Sequence, residues 1–254
     1  MTANSKGETE RETAAGSKKQ DFLLCSTDDD KDWISADVIG IEFCADVLPA
    51  ASHQGSARFG EFAGTQCASI VAVAAVQKRH KCMKNWTAGD MNSVLALGSE
   101  YHGKNRFRDA KNFVDINGCA GLYELEEISY YLETNDYGVA RASHDVELKV
   151  LNKLEDLLNE IIQRKQDVSV VYNGFTFGLF CEDDLVYFLN SHCSTYLEEE
   201  GLTDKASVLR FHADVAAEAL SSIIEAVYSP KPDVSENDRT IHISALNVKP
   251  QGKS

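Results

Sequence analysis

A run of small apolar residues at positions 70–76, IVAVAAV, constrains the fold of this chain more than any other feature. The spacing predicts a helix from about Cys67 to about His80 that is apolar on nearly every side. A helix without a polar face has to lie in the core of the protein. The stretch before it, HQGSARFGEFAGTQ (53–66), is rich in glycine and polar residues, so a polar loop meets a buried helix at Cys67.

The composition is that of a soluble globular protein and argues against two classes of partner. The 254 residues are 43% hydrophobic and 26% charged, enough for one large or two small domains with a sizeable core. A net charge of −15 without a basic stripe argues against nucleic acid and suits a basic protein or peptide. The longest apolar run is seven residues, and the N-terminal stretch has no apolar signal region. We therefore expect no membrane partner and a cytoplasmic or nuclear location.

The cysteines indicate reduced thiols. They are odd in number, scattered, and without any C-x-x-C pair, which is typical of neither a disulfide framework nor a zinc site. We expect no metal or other cofactor. The seven positions are Cys25, Cys44, Cys67, Cys82, Cys119, Cys181 and Cys193.

The pattern along the chain divides it into three parts. Residues 1–20 are polar and predict a disordered tail, and residues 229–254 predict a second polar tail with one possible short strand at 240–248. Residues 30–228 between them form the predicted domain, which opens with an alternating strand at 36–43.

Within the domain, helical periods come first and a meander of strands follows. Thr87 is a plausible N-cap for the second helix, and Asn173-Gly174 and 182–184 predict hairpin turns. The order of elements predicts an α+β fold. The predicted helices are 67–80, 86–103, 122–133, 146–164 and 214–228, and the predicted strands are 168–172, 175–180, 185–192 and 207–211.

Cys67 is the cysteine placed best to act as a nucleophile. The unpaired N–H groups and the dipole at a helix N-terminus favour a thiolate, and Cys67 lies where the glycine-rich loop ends and the helix begins. The alternative is a small core residue, which is the usual situation of a free cysteine.

A cysteine nucleophile needs a base, a group that orients the base, and donors for the oxyanion. His192 ends a strand, and Asn190 two residues earlier projects from the same face, where its amide oxygen could hold the imidazole. The alternative is a polar pair on the surface. The backbone N–H of Cys67 and the side chain of Gln54 are candidate oxyanion donors. The remaining histidines are expected in loops or at exposed helix positions; they are His53, His80, His102, His144, His212 and His242.

These motifs together resemble the herpesvirus large tegument protein deubiquitinase family. Gln54, then RFG (58–60), AG (63–64), QC (66–67) and Ser69 match the opening motif of that family in order. The stretches MNSVLALGSEYH (91–102) and FGLF, LVYFLNSH and SVLRF between 177 and 211 are similar to its later segments. The resemblance covers about residues 50–225.

The resemblance implies a papain-like cysteine protease fold, in which a helical part that carries the nucleophile packs on an antiparallel sheet. It implies Cys67 as nucleophile, His192 as base and Gln54 as the side chain of the oxyanion hole. The implied partner is ubiquitin or a ubiquitin-like modifier with its conjugates, cleaved at the isopeptide bond after the C-terminal glycine. A viral protein of this kind would act in the cytoplasm or nucleus of the host cell.

Two positions depart from the pattern of the family. Asn190 stands where the family has Asp, and Ile70 stands where the family has Asn. An amide can orient the imidazole, but it stabilises the imidazolium less than a carboxylate does. This leaves open a ubiquitin-binding scaffold without catalytic activity, and a papain-like protease or transglutaminase-type enzyme with an ordinary peptide substrate.

Overall fold

The computed structural model describes residues 32–35, 44–105, 107, 109, 111–145, 147–148, 150–194, 202–228 and 235–251. The predicted tail at 1–20 and the predicted strand at 36–43 lie outside these residues.

Ten strands of the described chain form a single sheet. Along the sheet the order is β1-β2-β9-β8-β7-β6-β10-β4-β3, with β5 pairing in parallel with β4 and all other neighbours antiparallel. The strands are β1 (Ile34–Ser35), β2 (Cys44–Pro49), β3 (Gly121–Leu125), β4 (Ile128–Arg141), β5 (Asn152–Lys153), β6 (Val168–Tyr172), β7 (Phe175–Glu182), β8 (Leu185–Asn190), β9 (Ser207–His212) and β10 (Thr240–Gln251).

Helices cover both faces of this sheet. The helices are α1 (Cys67–His80), α2 (Ala88–Lys104), α3 (Leu154–Gln163), α4 (Ala213–Tyr228) and the short α5 (Glu236–Arg239). Successive strand residues point to opposite faces: on β8, Tyr187 packs with the core of α1 and α2, whereas Phe188 packs with the core of α3 and α4. Among the described helices none has the length and apolar character needed to cross a membrane.

Helix α1 is buried on all sides, as its sequence predicts. Every residue from Cys67 to Val76 is buried. At the C-terminal end, the Lys78 ammonium lies 2.6 and 2.7 Å from the two carboxylate oxygens of Asp167 and 2.7 Å from the carbonyl oxygen of Cys181. This contact fixes the C-terminal end of α1 against β6 and β7.

Most predicted elements are present, and the α+β class is confirmed. Helix α2 begins after Thr87, whose side chain forms a capping box with Asp90. The turn at Asn173-Gly174 has positive φ at both residues, 49° and 78°, as a tight hairpin requires. The meander β6 to β9 follows the predicted strands, although β8 ends at Asn190 rather than at residue 192.

The predicted helix at 122–133 is wrong, because this segment is the hairpin β3–β4. Its residues alternate between buried and exposed, with Tyr123 and Leu125 buried and Leu122 56% exposed. The turn consists of Glu126 and Glu127, with φ of 46° and 67°. Glutamate rarely adopts positive φ, so the turn carries no recognisable sequence signal.

The predicted helix at 146–164 is only partly correct. Helix α3 spans Leu154–Gln163, and β5 precedes it. Val150, which contributed to the helical period, is 93% exposed. The physical reason is that Asn152 and Lys153 pair with the end of β4, which removes the segment before α3 from the helix.

The strand predicted at 240–248 is confirmed and extends to Gln251. It lies in the interior of the sheet, where it pairs with β4 over its length and with β6 at 242–245. Ile241 and Ile243 enter one core and Leu246 enters the other. We propose that the domain, placed by sequence at 30–228, extends to residue 251.

Candidate active site

Cys67 is the first residue of α1 and is 4% exposed. The preceding residue, Gln66, does not cap the helix through its side chain, and the first turn contains no acidic residue. Cys67 therefore lies at the positive end of the helix dipole, and no carboxylate of the first turn offsets it.

The loop before α1 is held to the end of β8 through the backbone of Gln54. The Gln54 N–H donates to the carbonyl oxygen of Ser191 over 2.8 Å. The Gln54 carbonyl oxygen accepts from the backbone N–H of Gly64 and from the side-chain amide of Gln66, both at 3.0 Å. Gln54 thus links the residue before His192 to the residue before Cys67, which are 125 positions apart in the sequence.

Asn190 and His192 are hydrogen-bonded to each other, as the sequence predicts. The Asn190 side-chain oxygen lies 2.9 Å from His192 Nδ1 and 3.0 Å from the His192 backbone nitrogen. An amide oxygen only accepts hydrogen bonds, so Nδ1 carries the proton and Nε2 keeps its lone pair. The same tautomer is required of a general base in a Cys-His-Asn arrangement.

Tyr228, at the end of α4, fixes the amide of Asn190. The Asn190 Nδ2 group donates to the Tyr228 hydroxyl oxygen over 2.7 Å, and Asn190 is completely buried. This contact orients the amide so that its oxygen faces His192. Sequence patterns do not predict this role for Tyr228, because the residue lies 38 positions from Asn190. In the sequence, Tyr228 is recognisable only as the last residue of an amphipathic helix.

The imidazole of His192 lies among aromatic rings. Phe175, Phe177 and Tyr228 have ring centroids 4.8, 5.7 and 6.5 Å from its own. Burial, with a smaller contribution from the charge of His53, lowers the pKa of His192 to about 3. The ring is therefore neutral at physiological pH.

Gln54 is buried, with 2% of its surface exposed. Its Oε1 atom has no hydrogen-bond partner among the described residues, and the same is true of Gln66 Oε1 and the Ser191 hydroxyl. Buried polar atoms without partners are unusual in folded proteins. The roles of Gln54, Cys67, Asn190 and His192 in catalysis stay predictions.

His102 differs from the expectation of an exposed helix position. It is completely buried in the last turn of α2, where it contacts the hydroxyls of Thr65 and Ser69. Its burial follows from the packing of α2 against α1 and the loop, which a helical period on one segment does not reveal.

The cysteines whose side chains are described are free thiols: Cys67, Cys82, Cys119, Cys181 and Cys193. Burial raises the pKa of both Cys119 and Cys181 to about 12, so these two stay protonated. Among the described residues, no group of three or more His, Cys, Asp or Glu side chains is close enough together to hold a metal ion.

The family model described as the herpesvirus tegument protein N-terminal conserved region matches residues 49–251. Among solved structures, the fold is similar to the ubiquitin-specific protease encoded by a murine cytomegalovirus tegument protein, crystallised with a ubiquitin-based suicide substrate. The TM-score is 0.63 at 13% identity, over 82% of this chain and 88% of that one. The expected papain-like fold is confirmed. No curated protein matches the sequence.

Proposed function

The chain belongs to the family of the herpesvirus tegument protein N-terminal conserved region, and from this premise we propose that it is a cysteine deubiquitinase. The substrate is an isopeptide bond after the C-terminal glycine of ubiquitin or a ubiquitin-like modifier. The observation that carries the proposal is the oriented, neutral His192 of the Asn190–His192 pair, connected through Gln54 to the helix start that bears Cys67. The partner is inferred from the viral protease of similar fold, whose structure contains a ubiquitin-based substrate.

In the proposed mechanism, His192 Nε2 removes the proton from the Cys67 thiol as the sulfur attacks the carbonyl carbon of the terminal glycine. The Gln54 side-chain N–H and the Cys67 backbone N–H donate to the developing oxyanion. Collapse of the tetrahedral intermediate breaks the C–N bond, and the imidazolium protonates the leaving lysine amine. Water, deprotonated by His192, then hydrolyses the thioester and releases the modifier and the free thiol.

The environment of His192 favours a neutral imidazole before the substrate binds. Because burial lowers the pKa of the imidazole to about 3, a resting imidazolium is disfavoured. Asn190 contributes orientation but no negative charge. The proton transfer then accompanies attack on the carbonyl, and the oxyanion donors provide the main electrostatic stabilisation.

The proposal is tested with a ubiquitin that carries a C-terminal electrophile. We expect a covalent adduct of one ubiquitin per chain, detected by mass spectrometry and located at Cys67. Cys67→Ala abolishes it. Cys82→Ala is the matched control, because Cys82 is exposed and a hydrogen bond and charge from Glu182 raise its thiol pKa.

Two outcomes contradict the proposal. A folded protein that binds ubiquitin without forming the adduct is a scaffold rather than an enzyme. Cleavage of ordinary peptides, with no reaction toward the ubiquitin electrophile, identifies a protease of a different specificity.

A further inference from the structure

The buried His102 is not used in the proposed mechanism, yet it contacts both segments that flank Cys67. On one side its Nε2 atom lies 3.3 Å from the hydroxyl of Thr65, two residues before the cysteine. On the other side its Nδ1 atom lies 3.3 Å from the hydroxyl of Ser69, two residues after the cysteine. A single imidazole from α2 thus joins the end of the loop to the first turn of α1.

The donors and acceptors of these contacts follow from one hydrogen bond. The Thr65 hydroxyl donates its only proton to the carbonyl oxygen of Phe62 over 3.0 Å. Toward His102 it can therefore only accept, so Nε2 carries the imidazole proton and Nδ1 has the lone pair. Ser69 must then donate to Nδ1, while the Cys119 thiol, whose sulfur lies 3.7 Å from the Ser69 oxygen, donates to the carbonyl oxygen of Asp115 over 3.5 Å. Every donor in this chain of contacts has an acceptor.

Aromatic packing supports the same arrangement. The ring of Phe62 lies edge-on to His102, with centroids 5.4 Å apart. A Cβ atom at Gly103 would lie 3.0 Å from the Phe62 ring, so the close approach of the loop to α2 depends on a glycine beside the histidine. The carbonyl group that accepts from Thr65 belongs to this same Phe62.

We propose that His102 is a positioning residue that holds the loop 62–66, and through it Gln54, in the geometry of the active site. The connection is short: Thr65 is followed by Gln66, whose side chain donates to the Gln54 carbonyl oxygen. Displacement of the loop moves the oxyanion donor while the Asn190–His192 pair stays in place. This inference rests on the proposed function for its catalytic consequence, but its structural consequence is independent of ubiquitin.

Two substitutions separate the two contacts of the imidazole. The amide of a glutamine reaches the place of Nε2 and can donate to Thr65, whereas the amide of an asparagine reaches only the place of Nδ1 and can accept from Ser69. We expect His102→Gln to retain the loop geometry and His102→Asn to lose it. Thr65→Val keeps the side-chain shape but removes both the acceptor of Nε2 and the bond to Phe62, so we expect it to lose the loop geometry as well. Adding His102→Asn to Thr65→Val has no further effect.

The first measurement is amide hydrogen exchange on the full chain. His102→Asn and Thr65→Val raise exchange of the Gln54 and Gly64 amides about tenfold or more relative to amides of β6, because both amides are hydrogen-bonded within this loop and its anchor. His102→Gln and the exposed control His242→Asn leave them unchanged. A uniform rise over the whole chain, or equal behaviour of the Asn and Gln variants, overturns the inference.

The second measurement is hydrolysis of a fluorogenic ubiquitin C-terminal amide. His102→Asn lowers kcat about tenfold or more with KM within about twofold, since a displaced donor weakens transition-state binding rather than substrate binding. His102→Gln restores kcat. If the parent chain shows no hydrolysis but the exchange pattern holds, the proposed function fails and the role of His102 in the loop stands. If the parent chain hydrolyses the ubiquitin amide and the exchange pattern is absent, the proposed function stands and the proposed role of His102 in the loop fails.

Discussion

At the residue scale, the chemistry of the site depends on which nitrogen of His192 carries the proton. Asn190 settles this, because an amide oxygen 2.9 Å from Nδ1 accepts only from an N–H group. The amide itself is oriented by Tyr228. An aspartate at position 190 would therefore change the charge beside His192 and not the acceptor geometry. An orienting residue without charge still leaves the lone pair of the imidazole on Nε2.

The first prediction concerns Asn190. Asn190→Asp keeps or raises the rate of hydrolysis of a fluorogenic ubiquitin amide, because the carboxylate orients His192 and also stabilises the imidazolium. Asn190→Ala lowers kcat about tenfold or more, because the imidazole loses its tautomer and orientation. Asn159→Asp on the exposed face of α3 is the control for added charge. Parental activity in both Asn190 variants would show that another residue orients His192.

The second prediction concerns the pH dependence of stability. In the unfolded chain His192 has its ordinary pKa of about 6.5, whereas in the folded protein burial lowers the pKa to about 3. Between these values the unfolded state binds the proton and the folded state does not, so stability falls as the pH drops from 6.5. Above pH 6.5 His192 has no such effect.

This dependence is measured as the thermal unfolding temperature between pH 7.5 and 4.5. The parent protein is expected to lose stability more steeply than His192→Gln, which lacks the titrating group. Carboxylates contribute equally to both proteins, so the difference in slope reports on His192. Equal slopes would mean that the imidazole is solvated in the folded state.

At the element scale, the position of Cys67 depends on how closely α1 and α2 cross. A Cβ atom at Gly98 of α2 would lie 2.7 Å from the Cα atom of Ile70 and 2.5 Å from its Cγ1 atom. Backbone atoms cannot move aside as a flexible side chain can, so the glycine is required for this helix contact. The same crossing places His102 four residues later beside the loop.

The third prediction follows from this contact. Gly98→Ala lowers the free energy of unfolding by about 2 kcal/mol, because the added methyl group forces the two helices apart. Gly89→Ala, in the exposed first turn of the same helix, is the control. The nearest atom to a Cβ added at Gly89 is the Thr87 hydroxyl oxygen, 3.4 Å away. That control is expected to stabilise the protein by about 0.5 to 1 kcal/mol through helix propensity. Chemical denaturation measures both, and a neutral Gly98→Ala would contradict the close crossing.

At the scale of the whole molecule, one sheet with helices on both faces brings together residues from distant parts of the chain. The site combines the loop before α1, the end of β8 and the end of α4. The last strand, β10, lies between β4 and β6 and joins the hairpin β3–β4 to the meander. The sheet cannot be divided at this strand without exposing both cores.

The fourth prediction tests the extent of the domain. A chain shortened after Tyr228 loses β10 and is expected to be unfolded, with no cooperative thermal transition by circular dichroism. A chain shortened after Gln251 is expected to unfold at the parental temperature, because it keeps the full strand. A folded product from the shorter chain would place the boundary at 228, where the sequence pattern alone puts it.

Local features of the sequence were sufficient for the elements whose signals lie within a few neighbouring residues. The apolar helix α1, the capped helix α2 and the meander with its Asn173-Gly174 turn are of this kind. The motif from Gln54 to Cys67 and the pair Asn190–His192 predict a candidate site from residue types at short spacing, and the catalytic roles of these residues stay predictions. Helical periodicity and turn residues are local properties of the sequence, so they can be recognised without knowledge of the tertiary contacts.

The tertiary structure decided the features that depend on burial by distant residues. The segment 122–133 fits a helical period, but the burial of Tyr123, Leu125 and Tyr130 in the core shared with α1 and α2 favours a hairpin with an unusual turn. The position of β10, the burial of His102 and the contact of Tyr228 with Asn190 are further cases. In each case, packing and hydrogen bonds between segments far apart in the chain provide the stabilising free energy. This free energy outweighs the local structural preference of the segment.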